Sequence, residues 1–134
     1  MPDPVITNVD NGSVANGPAV HRDETLKFTG ADTYAEGTIL ARDTGDDKLI
    51  AYVKGGVTAG NGIPNSVMTY PVTVTGAGDV AIRAMVEGEV KKERLVIDAD
   101  GDATNVDAVV IDELRARGIT AVDTAQLAQL DNQP

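Results

Sequence analysis

The chain has no cysteine and no tryptophan, and its 134 residues include only one phenylalanine and three tyrosines. Without cysteine, disulfides, thiolate nucleophiles and Cys-type zinc sites are all excluded. The compartment cannot be read from redox chemistry. With Phe28, Tyr34, Tyr52 and Tyr70 as the only aromatics, Val, Ile, Leu and Ala must do most of the packing. Basic residues are also scarce. Eleven Lys and Arg face 21 Asp and Glu, a net charge of −10. A duplex-binding protein needs cations to displace counterions from phosphate, so direct nucleic-acid binding is not expected. No apolar run approaches the roughly 20 residues of a membrane span, and no membrane partner is expected. The start, Met-Pro-Asp-Pro, has neither a basic n-region nor an apolar h-region. The expectation is therefore a protein made and used without Sec-type export.

What is present suits one domain. Residues 1–23 hold Pro2, Pro4, Gly12, Gly17 and Pro18 among several Asn and Asp. That composition forms no packed element by itself, so an extended N-terminal arm is expected. Val5, Ile6 and Val9 are apolar anchors near its tip, with Val14, Ala19 and Val20 as a weaker set. Such an arm is expected to become ordered on a partner, for example as an added strand.

The domain is expected over 24–119. Leu26 and Phe28 alternate with Thr25 and Lys27 as in a half-buried strand. In Gly37–Val53, two apolar runs, Thr38–Ala41 and Leu49–Val53, flank the polar turn Arg42–Lys48. That pattern predicts a hairpin. Lys54–Asn65 is Gly-rich and reads as a flexible loop that tertiary contacts or a partner must hold. Val67–Met68 and Val72–Thr75 are strand material, with Pro71 at an edge or irregular join. Val80–Val86 is the clearest strand, with Val80, Ile82, Ala84 and Val86 on one face and Ala81, Arg83 and Met85 on the other. Gly88 is expected to break that run.

One helix is well signalled, over about 105–117. Thr104 or Asn105 can cap it, and Val106, Val109, Val110 and Leu114 form its apolar face. Gly118 suits the left-handed position after the helix, with Leu114 and Ile119 as the hydrophobic pair of a Schellman ending. Residues 120–134 form a tail in which Asp123 or Thr124 could cap a short helix carrying Leu127 and Leu130. The predicted fold class is thus mostly β (α+β): a small barrel or sandwich-like domain with one clear helix near the C-terminus and an extended N-terminal arm.

The chemistry-bearing residues form no catalytic constellation. His21 is the only histidine and sits in the arm, where a base lacks the preorganisation catalysis needs. Ser13 and Ser66 lack a Gly-x-Ser-x-Gly context. Asp98-Ala99-Asp100-Gly101-Asp102 begins like an EF-hand loop. The match fails at its sixth position, Ala103, and its twelfth, Val109, so a polar loop entering the helix is expected. Gly76-x-Gly78 is no nucleotide loop. The basic run Lys91-Lys92-Glu93-Arg94 reads as a solvated turn. No catalytic residue, metal ligand or cofactor is expected.

Several stretches together resemble a known family. They are Gly37-Thr-Ile-Leu followed by Lys48-Leu-Ile-Ala-Tyr, then Val86-Glu-Gly-Glu-Val with Leu95, and the helix closing in Glu113-Leu-Arg-Ala-Arg-Gly-Ile119. Over about residues 24–119 the chain resembles lambda-type head decoration proteins of tailed bacteriophages. The resemblance implies a structural, non-enzymatic virion protein. It would bind the outside of the expanded capsid as a homotrimer at three-fold and quasi-three-fold sites, and cement the shell. The implied partners are the major capsid protein and other copies of the chain. The implied location is the outer capsid surface, after synthesis in the host bacterial cytoplasm. The arm would add to capsid-protein strands through Val5, Ile6, Thr7, Val9, Val14, Ala19 and Val20. The tail from 120 to 134 runs past the point where similar proteins usually stop. The competing expectation is a β-rich adhesion or ligand-binding module of a phage fibre or cell surface.

Overall fold

The computed structural model describes residues Val14–Asp123. Eight strands are present among them: β1 (Ala15–Phe28), β2 (Asp32–Tyr34), β3 (Ile39–Arg42), β4 (Leu49–Ala51), β5 (Pro64–Met68), β6 (Val72–Val74), β7 (Gly78–Lys91) and β8 (Ile119–Val122). A 3-10 turn covers Lys92–Arg94, and the one α-helix, α1, is Ala108–Ala116.

Five strands close into a mixed barrel in the order β1-β4-β3-β5-β7, with β7 pairing back onto β1. The seam between β1 and β4 is narrow and parallel, at Leu26 and Leu49. The β1–β7 pairing is antiparallel and long, from Ala15 opposite Val90 to Phe28 opposite Gly78. β8 adds in parallel to β7, from Gly88 opposite Ile119 to Lys91 opposite Val122. β2 and β6 form a separate two-stranded sheet that contributes Tyr34, Val72 and Val74 to the barrel interior.

Side chains alternate across each strand, and here both sides of several strands are covered. On β3, Leu40 points into the barrel cluster, while Ile39 and Ala41 belong to an outer cluster. On β5, Met68 is inner and Val67 outer. The inner cluster holds Leu26, Phe28, Leu40, Leu49, Ile82 and Ala84, with the Phe28 and Tyr34 ring centroids 4.7 Å apart and the rings tilted by 32°. In the outer cluster, α1 contributes Val110 and Leu114, and the segment before it contributes Leu95, Ile97 and Val106. Tyr52 is buried here, and its hydroxyl lies 3.3 Å from Glu113 Oε1. Burial, with Glu113 beside it, pushes that hydroxyl up to about 12.

The Gly37–Val53 hairpin forms as the sequence predicts, with Leu40 opposite Ala51 and Arg42 opposite Leu49. Other elements differ in their bounds. β1 begins at Ala15, well before Glu24. Its first half shows no alternation because Val20–Asp23 are exposed, and the register shifts twice, between Ala15 and Ala19 and at Val20. Gly88 does not end its strand. It sits within β7 at φ +137, where an added Cβ would meet the Ala19 backbone at 3.1 Å. A glycine in a strand can thus mark close approach of a neighbouring backbone. The helix cap is Asp107, not Thr104 or Asn105: its Oδ1 accepts from the amides of Val109 and Val110. The Thr104 amide is taken instead by Asp102 Oδ1. After α1, Gly118 has φ +95 and its amide donates to the Arg115 carbonyl. That is one of the two bonds of the Schellman ending, and Leu114 and Ile119 are both fully buried. Lys91 is also buried, at the end of β7, rather than in a solvated turn.

Candidate functional site

Val5, Ile6, Thr7 and Val9 lie outside the described residues. Val14, Ala19 and Val20 lie inside them, and the structure gives each a different place. Val14 is completely buried in the outer cluster. Its amide donates to Glu36 Oε2 at 2.9 Å, and its carbonyl accepts from the Lys91 amide at 2.8 Å. Beside this point a cleft of about 230 Å³ is lined by Val14, Ala35, Glu36 and Arg94. Ala19 packs against the outer cluster, opposite Gly88. Val20 is 52% exposed, at a register shift opposite Glu87. The residues ahead of Val14 therefore leave from a point fixed on both its backbone groups.

From that root the chain runs directly into β1. One side of β1 is paired to β7 along its length. On the other side, the pairing among the described residues is at Leu26 with Leu49. Among the described residues no other strand pairs with Ala19–Thr25 on that side, and an edge of this kind can take a further strand by main-chain hydrogen bonds. This stretch carries His21, Arg22 and Asp23, all exposed, and charges on an edge deter indiscriminate pairing. Asp23 meets Arg83 across the ribbon at 3.3 Å. Glu24 holds Arg42 through both carboxylate oxygens, at 3.0 and 2.9 Å. That hydrogen bonding raises the Arg42 pKa. A fork of this kind fixes orientation as well as charge.

In the acidic loop before α1, Asp100 and Asp102 spend their carboxylates on the loop's own turn. Asp102 holds the Thr104 amide, and Asp100 accepts from the Asn105 side-chain amide at 2.9 Å. Among the described residues, no three His, Cys, Asp or Glu side chains converge in a way that could hold a metal ion. His21 is exposed on the β1 ribbon. Ser66 is buried, and its hydroxyl has no partner.

The Gly-rich Lys54–Asn65 loop is held by its own backbone and by the hairpin turn. The Val53 amide donates to the Asn61 carbonyl at 2.8 Å, the Ile63 amide to the Gly60 carbonyl at 3.2 Å, and the Thr44 amide to the Ala59 carbonyl at 3.0 Å. Gly56 and Gly62 approach so closely that a Cβ on Gly62 would collide with the Gly56 carbonyl. Nothing in the sequence pattern signals these three bonds, because they join backbone amides and carbonyls rather than recognisable side chains.

A family model described as bacteriophage lambda head decoration protein D matches residues 9–119. A search of curated proteins returned no match.

Proposed function

Because the chain belongs to the bacteriophage lambda head decoration protein D family, a family of capsid-surface stabilising proteins rather than enzymes, we propose that it cements the shell as a trimer at three-fold and quasi-three-fold sites of the expanded capsid. The adhesion-module alternative is displaced by the family match, which places the protein on the virion head. In this reading the residues ahead of Val14 add to strands of the major capsid protein, with Val5, Ile6, Thr7 and Val9 as the contacts. Val14 and Ala19 anchor the root of the arm, and Val20 is the exposed apolar residue beside it.

The observation that carries the reading is the pinned root at Val14, placed where the chain enters an open edge strand. Thirteen residues can extend about 45 Å, enough to cross onto a neighbouring subunit. Strand addition makes little demand on side chains, which suits a Pro-, Gly- and Asn-rich segment. Three such arms on one trimer act together, and avidity can exceed single-arm affinity by ~10²–10⁴.

The test is decoration of expanded, undecorated shells by purified protein, followed by imaging and by a binding isotherm. Deleting residues 1–13 is expected to leave a folded domain whose shell binding is weaker by roughly 100-fold or more. Binding equal to that of the full chain would overturn the arm's role. Occupancy away from three-fold sites would overturn the placement.

A further inference from the structure

The described surface concentrates its exposed large apolar residues in one place. They are Val20, Val53, Val57, Ile63, Tyr70 and Val109, and three of the six fall within the single loop from Val53 to Ile63. Val57 is 95% exposed. A fourth, Val109, is brought to the same end of the domain. Lys54 pairs with Asp107 at 2.5 Å, and Asp107 Oδ1 accepts from the Val109 amide. The loop that displays Val57 is fastened by the backbone bonds described above, and Ala59 holds a left-handed φ of +51 within it. An apolar side chain on a firmly held loop loses little freedom on contact, which favours association.

Next to Ile63 lies a cleft of about 220 Å³, lined also by Arg42, Thr44, Gly60, Asn65 and Arg117. Arg42 is already engaged with Glu24. Arg117, at the end of α1, makes no ion pair among the described residues and is exposed. The Asn65 Oδ1 is buried and has no donor. The cleft therefore offers a free guanidinium to a carboxylate beside a buried acceptor that wants an N–H. A protein surface carrying acidic side chains supplies the carboxylate, and its main-chain amides supply the N–H.

We infer that the Val53–Ile63 loop, together with Arg117, is the surface by which one copy of this chain contacts a second copy. The inference rests on the self-association proposed above and assigns it a face. A clustered apolar surface on a protein that must stay soluble before it meets a shell calls for a partner that is always at hand. Another copy is such a partner. With 21 acidic residues and a net charge of −10, its surface is rich in carboxylates complementary to Arg117. The contact is heterologous, loop and guanidinium against a different patch of the neighbour, and repetition closes a ring.

The test uses the full chain and measures mass by sedimentation across a concentration series. Val57→Asp combined with Ile63→Glu is expected to weaken association by roughly 100-fold, as loss of central apolar contacts does. Arg117→Glu is expected to weaken it about tenfold, and Thr73→Glu, on the exposed side of β6, not at all. Circular dichroism checks that each variant is folded. Val57→Cys in this cysteine-free chain provides a second readout that leaves the loop apolar. Its thiol is expected to resist maleimide in the oligomer and react on dilution. Oligomers unaffected by the double substitution, or a thiol equally reactive at all concentrations, would overturn the inference. So would variants that keep the oligomer but lose shell binding, which would give the face to the capsid. A wild-type monomer that still decorates shells would overturn self-association and leave shell binding standing.

Discussion

The described residues form two apolar clusters, and they are built from different parts of the chain. The barrel interior draws on Leu26, Leu40, Leu49, Met68, Ile82 and Ala84, all from the five barrel strands between residues 26 and 84. The outer layer combines the same strands' other faces, Ile39, Val67 and Met85, with Val14 at one end of the described chain and Leu95, Val110, Leu114 and Ile119 at the other. The interior is enclosed by paired backbone. The outer layer is roofed by one short helix and a loop. The second cluster is thus where the Val14 segment, the helix and the barrel meet, and a change in any of them is felt there first.

The largest difference between the two should appear on cutting a leucine to alanine. Leu26→Ala empties space inside a closed barrel that has little freedom to collapse, and a loss of about 3–5 kcal/mol is expected by denaturant unfolding. Leu114→Ala leaves a helix that can settle toward the sheet, so about 2–3 kcal/mol is expected. The reverse order would mean that the helix is held more rigidly than the barrel.

A substitution at the joint between the clusters comes next. The Gly37 amide donates to the Met68 carbonyl, and its carbonyl accepts from the Val96 amide. Gly37 has φ +92, and an added Cβ would run into the Arg94 carbonyl. Gly37→Ala therefore combines an unfavourable backbone conformation with a collision. A loss of about 2 kcal/mol or more is expected, with both clusters loosened together in hydrogen exchange. Loosening confined to the outer layer would separate the clusters more sharply than the structure does.

The helix cap affects the outer layer alone. Asp107→Ala should fray α1 and lower the thermal midpoint modestly, while Asp107→Asn should keep most of the cap. The Lys54 hydrogen bond and the capped amides hold the Asp107 carboxyl below its ordinary value. Its contribution is therefore full above the unfolded value near ~3.9 and is lost as pH falls through the lower folded value. Loss of helix signal in that window should be absent in Asp107→Asn.

The smallest effect is expected at Asp98, where burial, with Asp32 nearby, raises the carboxyl above its usual range. Here the sign is opposite. The folded state penalises the charge, so Asp98→Asn should be slightly more stable than wild type at neutral pH. The difference should vanish below about pH 3.9. A destabilised variant at pH 7 would show that the carboxylate has a favourable contact.

How much of this was legible in the sequence depended on whether a face was buried. Leu40, Leu49 and Tyr52 sit in short apolar runs around a Gly/Asp turn, and both strands were readable from them. On the clearest strand, Ile82 and Ala84 fall in the interior and Met85 in the outer layer, as the alternation predicts. The first half of β1 was not readable. Gly17, Pro18 and the exposed run Val20–Asp23 carry no period, because that ribbon has solvent rather than core beside it. The cap was misplaced because Thr104 and Asn105 are equally good capping types. Only the burial of Val106 sets the helix start one step beyond it. The family, in contrast, was legible from the hairpin, β7 and the helix end together, and the match over residues 9–119 includes all three. Val5, Ile6, Thr7 and Val9, the capsid contacts proposed above, precede the described residues.

The long β1–β7 pairing also has a mechanical meaning. Tension applied ahead of Val14 would enter there and run along the axis of β1, whose partners on β7 extend from Val90 to Gly78. Force in that direction shears many backbone bonds at once instead of peeling them one at a time. Such a load would be shared along the ribbon and delivered to Leu26 and Phe28 at its far end, inside the barrel. If the arm proposed above is tethered to a shell, the β1–β7 ribbon is oriented to resist the pull.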